Sequence, residues 1–164
     1  MMQKVIVIGC PGSGKTTFAE RLNIITGLPL YYLDAIWHKP DKTHISRENF
    51  DKSISAILNT AEWIIDGNYS RTLEIRLQQC DTVFLFDLPT EVCIQGATDR
   101  LGKGRYDIPW IDKELTPSFK QSIQDFPRNS LPRIYELIEK YSKNRQIIVF
   151  KSREDVDVFL KSIR

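Results

Sequence analysis

Apolar positions along this chain follow two rhythms. Dense apolar runs, Lys4-Val5-Ile6-Val7-Ile8, Leu30-Tyr31-Tyr32-Leu33, Trp63 to Tyr69, Val83-Phe84-Leu85-Phe86 and Gln146 to Phe150, are rich in β-branched and aromatic residues. Such runs predict strands covered on both faces, as in a parallel sheet. Between them, apolar residues recur every three to four positions: Phe18, Ala19, Leu22 and Ile25; Phe50, Ile54, Ile57 and Leu58; Val156, Phe159, Leu160 and Ile163. That spacing predicts helices buried on one face. Ser46 and Ser152 stand where N-caps belong, Gly27 followed by Pro29 stops the first helix, and further helices are predicted from Thr90 and over 132–141. Strands alternating with helices predict a doubly wound α/β domain with a five-stranded parallel sheet, one domain over 1–164.

The first run passes directly into Gly9-Cys10-Pro11-Gly12-Ser13-Gly14-Lys15-Thr16-Thr17, which fits G-x-x-x-x-G-K-[ST] without a mismatch. Strand before and helix after are the context that this phosphate-binding loop requires. Backbone N–H groups must wrap a polyphosphate closely, so Gly9, Gly12 and Gly14 fall where side chains would obstruct. Lys15 supplies a point charge for the terminal phosphates. The helix beginning near Gly14 turns its positive end toward the same anion, and Thr16 offers a hydroxyl to a Mg²⁺ ion bridging two phosphates. A nucleotide, ATP, and Mg²⁺ are therefore the expected cofactors.

Charge adds exclusions. With Lys+Arg 23 against Asp+Glu 21, the net charge is +2, and no basic run suits a nucleic-acid track. No apolar stretch reaches the ~18 residues of a membrane span, and no leader pattern precedes the first strand, so a cytoplasmic protein is expected. Cys10, Cys80 and Cys93 have neither zinc nor disulfide spacing and read as reduced thiols.

Three strands end in carboxylates. Asp34 at the end of the second is a candidate base for an acceptor hydroxyl, or a turn aspartate; the segment 35–45 after it carries Trp37, His38, Lys39 and His44 without an assigned role. Asp66, followed by Gly67, is the favoured receiver of a Mg²⁺-bound water, with Asp87 before Leu88-Pro89 as its rival. If the acceptor is itself a phosphate, Arg47, Arg71 and Arg76 are the cations available to it. From Arg100 to Phe119 the chain has glycines and arginines suited to a closing lid, in which Arg100 and Arg105 would meet the phosphoryl group in flight.

This set of motifs resembles the adenylate kinase-like P-loop kinases. More closely, Tyr32-Leu33-Asp34 with Trp37, the Asp66-Gly67-Asn68-Tyr69 block, Phe126-Pro127-Arg128 and Val149 to Arg153 look like the group named topology modulation proteins. The resemblance implies a three-layer P-loop fold with strand order 2-3-1-4-5, an acceptor region at about 34–62 and a short lid at about 101–118. It implies that Lys15 and Thr16 hold phosphates and Mg²⁺, that Asp66 is the aspartate of the kinase Asp-Gly motif, and that Arg100 is a lid-entry arginine. Gly96 departs from the family, standing where adenylate kinases carry an arginine that reaches ATP, and the Thr-Gly-Asp pattern of an AMP site is missing. Arg105 could take over part of that arginine's work. The expected function is transfer of the γ-phosphoryl group of ATP to a nucleoside, nucleotide or small hydroxy compound. The alternative is a nucleotide-binding regulator that affects DNA topology indirectly. No Asn-Lys-x-Asp segment points to a GTPase.

Overall fold

The computed structural model describes residues 1–164. Five strands, β1 (Lys4–Gly9), β2 (Leu30–Tyr32), β3 (Trp63–Asp66), β4 (Thr82–Phe86) and β5 (Gln146–Phe150), form one parallel sheet of order β2-β3-β1-β4-β5. The dense apolar runs have the predicted cause: Val5 to Ile8 in the central strand are 0% exposed, because helices cover both faces. β1 and β3 are neighbours in register, Val7 beside Asp66. The connection leaving β1 leads to β2 on one side and the one leaving β3 leads to β4 on the other, so their loops part and leave a crevice at the carboxyl edge.

Eight helices complete the fold: α1 (Lys15–Thr26), α2 (Leu33–Trp37), α3 (Arg47–Leu58), α4 (Ser70–Gln79), α5 (Thr90–Asp99), α6 (Pro117–Asn129), α7 (Leu131–Lys140) and α8 (Arg153–Ser162). α1 and α8 pack together through Phe18 and Phe159, 6.2 Å apart, and both meet Phe84 and Phe150 of the sheet at ring-centroid distances of 4.8 to 5.7 Å. Edge-to-face packing of this kind fixes α1, and with it the loop at its N-terminus. α3, α4 and α7 pack one after another elsewhere around the sheet, and α7 also meets α6. The predicted caps are present: the Ser46 hydroxyl accepts from Asn49 N–H, and Ser152 and Asp155 form a reciprocal capping box.

Some elements differ from the sequence expectation. The second run stops being strand after Tyr32, and Leu33–Trp37 forms the short helix α2, so Asp34 lies in a first helical turn and not at a strand end. The third strand stops at Asp66, three residues early, because Gly67 at φ +138° turns the chain away. α4 escapes the apolar pattern since its buried face includes Arg76. α6 escapes it since Pro127 lies inside the helix and only Ile123 and Phe126 are buried. α6 begins within the segment expected to form a lid, with Thr116 as its N-cap.

Candidate active site

The loop Gly9–Thr16 wraps the N-terminus of α1, and Gly9, Gly12 and Gly14 all have positive φ. Gly12 shows why no side chain is admissible: a Cβ there would lie 2.1 Å from the Cys93 carbonyl oxygen on α5. Within the loop, the Ser13 hydroxyl and the Lys15 ammonium both donate to the Cys10 carbonyl, at 2.6 and 3.0 Å. The three cysteines are buried free thiols.

Asp66 reaches the loop from the neighbouring strand. Its Oδ2 accepts from the Thr16 hydroxyl at 2.7 Å, while Oδ1 is buried without a partner in a residue 5% exposed. Burial pushes this carboxyl up to about 6, against the opposing pull of Lys15 and of the Thr16 hydrogen bond. Burial likewise lowers Lys15, despite the attraction of Asp66. An unpaired carboxylate oxygen beside a threonine hydroxyl is a hard-oxygen donor set that fits Mg²⁺. Asp87, the rival, is engaged elsewhere, accepting from Tyr135 at 2.6 Å and from Lys151 on the far side of β4.

Sequence reasoning gave Gly67 the task of turning the backbone beside the phosphates but left Asn68 and Tyr69 without a mechanism. Asn68 grips the start of the loop with both amide atoms, accepting from Gly9 N–H at 2.9 Å and donating to Gly9 C=O at 2.8 Å. Arg76, 0% exposed, sends its guanidinium back under the turn, to the carbonyls of Gly67 (2.9 Å), Asn68 and Tyr69 (3.2 Å) and to Thr72 of its own helix (3.2 Å). Gly67, at φ +138°, is needed because a Cβ would lie 2.9 Å from the Leu33 side chain of α2. Arg76 is thus a scaffold cation, Arg71 forks onto Asp51 at 2.7 and 2.9 Å, and Arg47 is exposed outside the crevice. None of the three arginines expected to meet an acceptor phosphate lines the site cavities.

Asp34 does face the crevice. Tyr69 donates to its Oδ1 at 2.6 Å, and the phenol is raised by burial and by the Asp34 charge. Trp37 and Phe50 pack on the Tyr69 ring at 6.2 and 5.0 Å, which makes Trp37 a support for Tyr69. Two cavities meet here. One, of 420 Å³, holds Asp34, Asp66, Tyr69, His38, Trp110 and Phe119 on its walls; the other, of 440 Å³, runs along the loop past Gly12, Gly96 and Arg153. Lys15, Thr16, Arg100, Arg105 and Asp107 line both.

Arg100 closes α5 and lies 5.6 Å over the Phe119 ring, its pKa lowered by burial. Arg105 is less free: its fork holds Asp107 at 2.9 and 2.7 Å, with Asp112 at 3.8 Å. Arg153, at the start of α8, supplies a cation that sequence reasoning missed. Its guanidinium nitrogens stand 3.5 Å from the Ser13 and Gly12 carbonyls, and 2.8 Å from where a Gly96 Cβ would be. The glycine in place of an arginine at 96 leaves room for this one, delivered from another helix. The signal was the capping box at Ser152, which fixes the residue after it at a helix start on the ligand edge.

No protein-family model matches the chain. Adenylate kinases of Thermotoga petrophila and Thermotoga maritima are each 30% identical to it over 89 residues, which cover 53% of the chain and 40% of each relative. The chain thus matches less than half the length of these curated relatives. Among solved structures, a shikimate kinase from Acinetobacter baumannii in complex with shikimate aligns over 99% of this chain and 91% of its own, with 16% identity and a TM-score of 0.62. A shikimate kinase from Bacteroides thetaiotaomicron aligns over 99% and 97%, with 14% identity and a TM-score of 0.59. An unliganded sugar kinase from Janibacter sp. HTCC2649 aligns over 99% and 92%, with 19% identity and a TM-score of 0.56. The phosphate-binding loop on a parallel sheet of order β2-β3-β1-β4-β5 is the kinase-like P-loop fold, and this chain has it.

Proposed function

We propose that the chain is an ATP-dependent phosphotransferase acting on a hydroxyl group of a small molecule. The observation that carries this reading is the junction of the two cavities: Lys15, Thr16, Arg100 and Arg105 lie between a nucleotide groove and a chamber that contains an oriented carboxylate, Asp34. A pure nucleotide-binding module needs the groove but not the chamber. The named activities of the similar proteins, adenylate, shikimate and sugar kinases, support the class without choosing the acceptor.

In this reading the loop N–H groups and Lys15 bind the β- and γ-phosphates, and Arg153 with Lys103 borders the rest of the nucleotide groove. Thr16 and Asp66 would hold Mg²⁺, which supplies charge neutralisation for the phosphates. The acceptor hydroxyl approaches from the Asp34 side. Its oxygen forms the new bond to the γ-phosphorus as the bond to the bridging oxygen of ADP breaks, and its proton passes to Asp34. Tyr69 keeps that carboxylate turned toward the chamber, and Lys15 and Arg100 meet the charge that spreads over the phosphoryl oxygens.

ADP release measured across nucleosides, nucleotides, shikimate and sugars, with ATP hydrolysis alone as baseline, tests the class. Acceptor-dependent ADP formation that disappears in Asp34→Asn is the expected result. Tight ATP binding with no transfer to anything would leave the nucleotide-binding regulator in its place.

A further inference from the structure

The basic side chains of the site are distributed one-sidedly. Lys15, Arg100 and Arg105 line the 420 Å³ chamber, and each of them also lines the nucleotide groove, where the transferred phosphoryl must be held. The residues that line the chamber alone include no lysine or arginine, but they include Asp34, Asp66, Asp112 and Glu114. Their partners show which of these charges remain uncompensated. Asp66 answers to Thr16 and the metal role. Asp112 accepts from the Trp110 indole at 3.0 Å and is 3.8 Å from Arg105. Asp34 is hydrogen-bonded only by the neutral Tyr69 and is attracted by Lys15, Arg100 and Arg105, whereas Glu114, exposed at the rim, pairs with no cation.

Independent features mark the chamber as built for a ligand. Beyond Asp66 Oδ1, which the metal role accounts for, His38 Nδ1 is buried without a hydrogen-bond partner and lines the chamber. Trp110, edge-on to His38 at 5.0 Å, and Phe119 add apolar walls.

Resting on the kinase reading, we propose that the acceptor carries no anionic group of its own: it is a hydroxyl compound bearing a protonated amine, its hydroxyl toward Asp34, its cation facing Glu114 at the rim of the chamber, and its ring or chain lying against Trp110 and Phe119. An acceptor carboxylate or phosphate would enter a chamber whose own charges repel it and whose arginines are already committed to ATP or to Asp107. An ammonium group meets the opposite field, with aromatic faces that also favour cations. His38 Nδ1 offers a hydrogen-bonding atom for a further hydroxyl.

The test uses the full chain with Mg-ATP and matched acceptor sets that differ only in charge: glucose, glucosamine, glucuronate and glucose 6-phosphate; adenosine, 5′-amino-5′-deoxyadenosine and AMP; glycerol, 3-amino-1,2-propanediol, glycerate and glycerol 3-phosphate. Whichever framework is phosphorylated, its aminated member is expected to have the highest kcat/KM, and its anionic members values at least ~100-fold lower. Glu114→Gln is expected to raise KM for the aminated member about three- to fivefold, with little change for the neutral one. Preference for a carboxylate or phosphate member overturns the acceptor class and leaves the kinase reading standing. An unchanged KM for the aminated member in Glu114→Gln, together with equal use of amine and neutral members, overturns the cation assignment. Absence of transfer throughout, with ATP still bound, overturns the kinase reading and this inference with it.

Discussion

Asp66 shows how burial can make a carboxylate lower the stability of the fold that holds it. Its ordinary value of 3.8 is pushed to about 6 by burial, so between those values the folded chain holds a proton that the unfolded chain has released. Stability therefore falls as pH rises through this window, by about 3 kcal/mol in total for the ligand-free protein. Asp66→Asn removes that penalty: it should melt higher than wild type at pH 8, and the difference should vanish below pH 4. Equal melting points at pH 8 would mean that the buried oxygen is not a cost. The same variant is expected to lose Mg²⁺-dependent turnover, whereas Asp87→Asn, which cuts a Tyr135 and Lys151 contact, should mainly affect stability. Lys15→Ala is expected to raise the ATP dissociation constant sharply in a chain with an unchanged circular dichroism spectrum, since Lys15 contacts a loop carbonyl and contributes nothing to the apolar core. For Asp34→Asn, transfer should drop by ~10²- to 10⁴-fold while ATP affinity stays, a contrast that single-turnover and binding measurements separate.

Between strand and helix, the β3–α4 turn decides the geometry of the phosphate loop. Arg76 satisfies the partly buried carbonyls of Gly67, Asn68 and Tyr69, and through the turn it holds Asn68 against Gly9 and Tyr69 against Asp34. Replacing it with alanine leaves those acceptors unpaired beside an empty space, at a cost of about 3 to 5 kcal/mol. Chemical denaturation of Arg76→Ala checks this, and a loss under 1 kcal/mol would show that the turn holds itself. Asn68→Ala is expected to act more locally, weakening ATP binding through the loop with a smaller loss of stability. The helical patterns around α1, α3 and α8 were plain in the sequence because each buries three to four apolar residues or carries a capping serine. α4 and α6 were not, since one buries a cation and the other contains a proline, and both depend on neighbours for their stability.

Across the protein, the arginines that line the groove along the loop come from separate elements: Arg100 from the end of α5, Arg105 from the segment between α5 and α6, Arg153 from α8. They should divide the work. Arg153→Ala is expected to weaken ATP binding about tenfold with a modest change in the rate of the chemical step, because it stands over Gly12 and Ser13 and beside Gly96, away from Asp34. Arg100→Ala should do the reverse, lowering the single-turnover rate more than the affinity, since it borders both cavities and meets charge that develops during transfer. Identical profiles for the two variants would contradict this division.

The order of strands and helices, the phosphate loop and the buried β1 were legible from local pattern, because β-branched runs and glycine spacing express constraints that act within a few residues. The carboxylates Asp34 and Asp66 were legible as candidates for the same reason, each ending an apolar run before a turn. Which cations serve the site was not. Arg76 and Arg71 looked available until folding buried one under a turn and paired the other with Asp51, and Arg153 entered only because α8 returns its N-terminus to Gly12, 141 positions away. The balance of charge inside a cavity is a sum over residues that meet only after the sheet has formed, and no local spacing in the chain records it.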